Sequence, residues 1–402
     1  MKSVTRRTAT ISAALTAGLV VAACSSSPSP SGGSTGSSGK VPNLTVASLT
    51  RTFTSMTALK ALAAKGKGSI AVILPDTVTS ARYTEFDAPY LSEALTAAGL
   101  SPSQFSVQNA QGSDATEYTD AQEAITKGAS VLIMDPLDSG VGTQIESYAK
   151  SHGVAVIDYD RLTLGGSRKY YVSFNNVQVG TLLGNGLKSC VSAWHVSHPN
   201  VLVMYGAPTD NNATLFGQGY NAVLNPLFSS GKWTKVGKAA GTWDPPTAET
   251  EFQQQYTAHR NINALLSPND ENAAPIIHYL QTLKVKPDTF PVTGQDATLT
   301  GLQNILAGYQ CGTVYKPIYA EAQAAAALAM YVRAGVKPPG SLVNGSATDV
   351  QTHVKVPSVL LTPEWVTPSN MASTVIKDQF VPAQQLCTGQ YKAACKKAGI
   401  SV

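Results

Sequence analysis

The chain has 402 residues, of which 43% are hydrophobic and 13% charged, with a formal net charge of +4. The positive surplus is spread along the chain without a basic block, which argues against nucleic-acid binding. This length exceeds one ordinary domain and suits two.

The first 23 residues read as an export signal. Lys2, Arg6 and Arg7 supply a positive start, and residues 11–22 form an apolar stretch too short to span a bilayer. The sequence Val21-Ala22-Ala23-Cys24 resembles the lipobox of bacterial lipoproteins, in which the chain is cut before the cysteine and a lipid is added to its thiol. Residues 25–39 are only Ser, Pro, Gly and Thr, a composition that cannot bury a core and behaves as a flexible tether. The expectation is a lipoprotein signal over 1–23 and a tether over 24–40, holding the protein to the outer face of the cell membrane through Cys24.

A helix is predicted over 55–64, after which strand and helix patterns alternate. Apolar runs at 70–74, 131–134 and 154–157 read as strands, with helical patterns over 86–98, 118–126 and 142–151. This is the βαβ rhythm of a parallel sheet covered on both faces. It restarts with a strand at 170–174 and a helix over 177–191. Further strands follow at 201–205, 264–266, 290–293 and 313–315. The apolar run 322–332, bracketed by Glu321 and Arg333, is too short to cross a membrane and reads as a buried helix. The fold class expected is α/β, with two Rossmann-like lobes.

Beyond Cys24 there are four cysteines, Cys190, Cys311, Cys387 and Cys395. An even number in an exported chain suits disulfides, and four cysteines allow three pairings. The favoured set is Cys387–Cys395, closing a small loop in the tail, with Cys190–Cys311 as the long-range bond. No CxxC or HExxH accompanies them, and His195 and His198 read as a solvated pair in a Ser/Pro-flanked loop, so no metal is expected.

In open parallel sheets ligands bind beyond the carboxyl ends of the strands. The residues just past the predicted strands are Asp76 with Arg82-Tyr83, Asp135-Pro136, Asp160-Arg161, Asn175-Asn176, Asp210-Asn211-Asn212, Asn269-Asp270, Gln295-Asp296 and Lys316. Asp, Asn and Arg each present two hydrogen-bonding atoms in one plane, the geometry that grips neighbouring hydroxyls of a polyol. An aromatic face, from Tyr83 or Trp243, covers a sugar ring's C–H surface. An Asp or Asn in such a place also caps the following helix, and a lone Asp210 reads that way first. Arg82, Arg161 and Lys316 cannot be N-caps.

Five ordered segments carry a family resemblance: Asp158-Tyr159-Asp160-Arg161, Tyr171-Val172-Ser173-Phe174-Asn175-Asn176, Asp210-Asn211-Asn212-Ala213, Gly294-Gln295-Asp296-Ala297 and Val314-Tyr315-Lys316-Pro317. Together, over about 69–381, they resemble the D-xylose-binding proteins of bacterial ABC importers. The resemblance implies the type I periplasmic-binding-protein fold, with two lobes joined by three crossover strands. The first lobe is expected over 69–168 plus 313–340, the second over 169–312 plus 355–381, and a C-terminal tail over 382–402. It further implies that Arg82, Asp160, Arg161 and Lys316 hold sugar hydroxyls together with Asn175, Asn212, Asn269 and Asp296, while Tyr83 and Trp243 sandwich the ring. The family's usual Asp-Asn is replaced here by Asn175-Asn176, and its first aromatic, usually Trp, by Tyr83. Both departures bear on which monosaccharide binds.

The function implied is capture and delivery: a monomer that closes on a monosaccharide, D-xylose first, and hands it to a membrane permease. A sensing role toward glucose or another pentose is the alternative. No GxxxxGK[ST] occurs, and no cofactor is expected. Asp160 with Asp296 is the carboxylate pair a glycosidase would need, but each neighbours a cation or amide suited to holding rather than proton transfer. A sugar-responsive DNA regulator would begin with a helix-turn-helix where this chain has an export signal.

Overall fold

The computed structural model describes residues 41–401. The expected signal, tether and Cys24 anchor lie outside the described residues. Among those described, no helix is long and apolar enough to cross a membrane.

A short helix α1 (Lys60–Lys65) precedes strand β1 (Ser69–Leu74), whose residues 70–74 are all buried. Such an unbroken apolar run belongs to a strand covered on both faces. Helix α2 (Ala88–Ala97), strand β2 (Phe105–Asn109), helix α3 (Asp114–Thr126), strand β3 (Ala129–Met134), helix α4 (Ser139–Ser151) and strands β4 (Ala155–Tyr159) and β5 (Tyr170–Phe174) follow. Short polar residues start the helices: Ser113 caps α3 and Asp138 caps α4 by accepting backbone N–H bonds from the first turn.

The chain then builds a second set, beginning with α5 (Asn176–Ala193), β6 (Asn200–Val203), α6 (Asn211–Ser229) and β7 (Thr234–Lys235). Next come α7 (Pro245–Ala258), β8 (Ala264–Leu266), α8 (Asp270–Thr282), β9 (Thr293–Gln295), α9 (Leu299–Leu306) and β10 (Gly312–Tyr315). Helix α10 (Ile318–Arg333) leads to β11 (Gly345–Thr348), β12 (Lys355–Leu361) and β13 (Glu364–Val366), and the tail carries the short helices α11 (Ala383–Leu386) and α12 (Lys392–Lys397).

One sheet has seven strands in the order β11-β12-β5-β4-β3-β1-β2. The others are β7-β6-β8 and β13-β10-β9, tied by a single parallel bridge from Leu265 to Val292. The chain passes between the two sides three times: from β5 into α5, from β10 into α10, and from β12 into β13. Two of these crossings lie side by side, where Asn175 N donates to Leu361 O at 2.9 Å.

The crossings fall elsewhere than the sequence boundaries put them. Strands β5 and β12 pair with each other in the seven-stranded sheet, although 169 and 355 were expected to open the second lobe. Strand β10 pairs with β9 and β13, although 313 was expected to return to the first. A short, fully buried apolar run looks the same whichever sheet takes it. Helix α10 does return to the first sheet, packing on β3, β4, β5 and α2. Its residues 322–327 are Ala or Gln, all buried, so backbone and sheet approach closely.

Cys190 on α5 and Cys311 before β10 are bonded with their Cα atoms 5.9 Å apart, and Cys387 is bonded to Cys395. The first bond closes 121 residues, a span whose cross-linking removes about 4–5 kcal/mol of unfolded-chain entropy in the simplest treatment.

Outside the cleft lining, Arg168 and Asp349 tie the β4–β5 connection to the β11–β12 hairpin. The Asp349 carboxylate pairs with Arg168 and accepts from the backbone N–H groups of Gly165, Gln351 and Thr352. Burial works against its charge, but these partners hold the carboxyl at about 2. Because the folded value lies below the unfolded one of about 4, the stabilisation is fully present above pH ~4 and is lost as pH falls toward 2. Asp349→Asn strands the buried guanidinium, a change that typically costs about 3–5 kcal/mol. Its melting temperature near neutral pH should fall by roughly 5–10 °C, and the gap should narrow in melts near pH 3. A gap that does not change with pH would contradict the pairing.

Candidate functional site

The loop after β1 is shaped by Asp76, whose Oδ1 accepts from Val78 N and Thr79 N, both at 2.8 Å. It delivers Thr79, Ser80, Arg82 and Tyr83 to the edge of the sheet. The Arg82 guanidinium is 2% exposed and engages four of its five N–H groups. Nε and Nη2 donate to the two Asp87 oxygens at 2.8 Å, Nη1 donates to Asp160 at 2.8 Å, and Nη2 also donates to Glu321 at 2.7 Å. Tyr159 adds a hydroxyl donor to Asp87. One cation thus answers three carboxylates, which is too few. Burial, reinforced by Asp160 and Asp87, pushes the Glu321 carboxyl up to about 8 despite Arg82, so Glu321 carries the proton of the group at neutral pH.

Strand β4 ends at Tyr159, and Asp160 follows with φ 55°. A non-glycine residue held in the left-handed region marks a site where the surroundings impose the conformation. Burial opposes the Asp160 charge, but Arg82, Lys316 and Arg161 outweigh it and hold the carboxyl below its usual range. The Arg161 side chain bridges inward. It donates to Pro136 O at 3.1 Å and to the Tyr83 hydroxyl at 2.7 Å, and its Nε lies 3.4 Å from Asp210 and 3.8 Å from Asp135. Asp135 is fully buried and neither of its oxygens has a hydrogen-bond partner. Burial raises its carboxyl well above the usual value, with Arg161 offsetting only part.

From the opposite side, Asp210 caps α6 by accepting from Asn212 N at 2.8 Å and with its other oxygen accepts from Trp243 Nε1 at 3.0 Å. The Trp243 ring lies against Gly206, where an added Cβ would stand 2.1 Å from the indole. Only glycine leaves room for it. Asn212 accepts from Asn176 Nδ2 at 2.8 Å and donates to Asp160 O at 3.0 Å. Asn269 caps α8 through Asn272 N. Asp296, just past β9 with φ 88°, pairs with Lys316 at 2.9 Å.

Nine of the ten expected ligand residues therefore line one cleft: Arg82, Tyr83, Asp160 and Arg161 from the first sheet, Asn212, Trp243, Asn269 and Asp296 from the second, and Lys316 at a crossing. Asn175 does not. Its side chain is exposed and caps α5, accepting from Gln178 N at 3.0 Å, and it lines a separate groove near Val177. At that strand end the capping role won, while the buried neighbour Asn176 reaches Asn212.

The cleft also contains Asp210 and Gln295, which stand among the strand-end groups, and Thr79, Ser80 and Phe216, which do not. Asp210 was visible as a helix cap, but one carboxylate has two oxygens and here does both jobs. Phe216 sits four residues after Asn212 on α6, a spacing that puts both on one helix face. Thr79 and Ser80 carry no sequence signal beyond their place after β1. At its centre the cleft leaves a small free cavity. In this closed arrangement the polar groups bond to one another.

Residues 70–337 match the family described as periplasmic binding protein domain. The D-xylose-binding periplasmic protein of Escherichia coli (strain K12) is 35% identical over 283 residues, covering 70% of this chain and 82% of the relative. The multiple sugar-binding periplasmic receptor ChvE of Rhizobium radiobacter is 30% identical over 342 residues, covering 80% and 93%. Among solved structures, a carbohydrate-transporter solute-binding protein from Chloroflexus aurantiacus, in complex with D-glucose, superposes with a TM-score of 0.70 at 26% identity, covering 79% of this chain and 97% of that one.

Proposed function

We propose, from the premise that this chain belongs to the periplasmic binding protein family, that it captures D-xylose between its two sheets and passes it to an ABC permease. The fold is of the type I class, and the protein is an extracytoplasmic sugar-binding protein of the ABC-importer kind rather than an enzyme. The choice of D-xylose is supported by the 35% identity to a protein named for that sugar.

The observation that carries the reading is the cleft's composition. Planar, bidentate groups converge from both sheets, Asp160 and Arg161 facing Asp210, Asn269 and Asp296, with the rings of Tyr83 and Trp243 beside them. Hydrogen bonds to charged groups contribute about 1.5–3 kcal/mol each when water is excluded, so a handful suffices to hold a small polyol. The cavity is walled by groups from both sheets. Entry therefore requires the three crossings to let the sheets part, and ligand contacts to both sheets then favour closure. The carboxylates suit holding: Asp160 is neutralised by Arg82 and Asp296 by Lys316. Both are committed to cations, unlike the free acid and base of a glycosidase pair.

In this reading the lipid on Cys24 keeps a monomeric receptor near its permease. A sensing role is the second reading, favoured by the relative named as a sugar receptor. Thermal-shift screening of pentoses and hexoses separates ligands. A ligand at a thousand times its Kd stabilises by about 4 kcal/mol, so D-xylose should give the largest rise, of several degrees. A larger rise with D-glucose would move the assignment to that sugar, and no rise with any sugar would overturn the reading.

A further inference from the structure

The loop after β1 and helix α8 belong to different sheets, and they meet at the rim of the cleft. Glu271, in the first turn of α8, reaches across. Its Oε1 accepts from Ser80 Oγ at 3.0 Å and from Ala81 N at 3.1 Å, while its Oε2 accepts from Asn269 Nδ2 at 3.1 Å. Glu271 does not line the cavity, although Ser80 and Asn269 do. Two other polar contacts across the cleft, Arg161 with Asp210 and Asn212 with Asp160, are made between cavity-lining groups that a ligand would rearrange. In the Glu271 contact the carboxylate itself stands outside the cavity lining.

We propose that Glu271 is a clasp that sets how readily the cleft closes, without touching the ligand. The inference rests on the reading of a cleft that opens and closes around a sugar. Both partners of the clasp are prepared for it. Asp76 fixes the loop through Val78 N and Thr79 N, and Asn269 caps α8 with one side-chain atom while steering Glu271 with the other. One residue thereby couples the cavity wall, the helix start and the clasp. Glu271 accepts at both oxygens, so a Gln amide keeps the bonds from Ser80 and Ala81 but turns an N–H toward Asn269 Nδ2 and reproduces only part of the contact.

The test pairs small-angle scattering of the sugar-free protein with stopped-flow dissociation of D-xylose, for wild type, Glu271→Ala, Glu271→Gln, Ser80→Ala and the double variant Glu271→Ala/Ser80→Ala. Two lost hydrogen bonds predict a dissociation rate about tenfold faster in Glu271→Ala. Its sugar-free radius of gyration should be larger than that of wild type, and its melting temperature within a few degrees. Glu271→Gln should fall between wild type and Glu271→Ala, and the double variant should be no more open than Glu271→Ala alone. Scattering and dissociation unchanged in Glu271→Ala would overturn the clasp, as would additive effects in the double variant. If wild type itself bound no D-xylose, the functional reading would fail, and the scattering comparison would still decide the clasp.

Discussion

Arg161→Ala should weaken sugar binding at least a hundredfold while leaving the sugar-free melting temperature within a few degrees. The guanidinium is anchored by Pro136 O, holds the Tyr83 hydroxyl, and stands between Asp135 and Asp210. Removing it takes away a charged donor and frees the ring that it positions. Losing two charge-assisted contacts of about 1.5–3 kcal/mol each amounts to roughly two to four orders of magnitude in affinity. Stability changes less because Asp135, whose carboxyl is already raised by burial, can take up a proton once its neighbouring cation is gone. Unchanged affinity in titration calorimetry would remove Arg161 from the site.

The second large effect falls on folding. Arg82→Ala leaves Asp87, Asp160 and Glu321 buried around an empty position. Removing one partner of a buried ion pair typically costs about 3–5 kcal/mol, so the melting temperature near neutral pH should drop by roughly 10 °C. Sugar binding should fall with it, because Arg82 holds Asp160 in place. The sign of the pH dependence follows from the charges. In wild type Asp160 is held below its usual range, which stabilises the fold above that range. In the variant the uncompensated carboxylates are relieved by protons, so the gap to wild type should shrink as the pH is lowered. A melting temperature within about 2 °C of wild type would show that the network is not what the geometry implies.

Much of this was legible in the chain because the physics is local. The run 70–74 read as a buried strand from its length and the alternating rhythm around it, and 322–332 as a buried helix. Arg82, Arg161 and Lys316 stood out because a cation cannot cap a helix N-terminus. Other features depend on partners distant in sequence. Nothing near Tyr170 says that β5 pairs with β12 rather than with a strand of the second sheet, and the lobe boundaries were displaced for that reason. Asn175 and Asp210 carried the same strand-end signal, yet Asn175 turns to its own helix and Asp210 both caps and faces Arg161. Glu271 gave no signal in the sequence, because its partners Ser80 and Ala81 lie 190 residues or more away.

The central claim is that one closed cleft between the two sheets holds one monosaccharide. Titration calorimetry of residues 41–402 with D-xylose tests it most directly. A single saturable site with one sugar per chain is expected, abolished in Arg161→Ala. No binding heat from D-xylose or from any other aldopentose or aldohexose, across temperatures where the protein is folded, would contradict it.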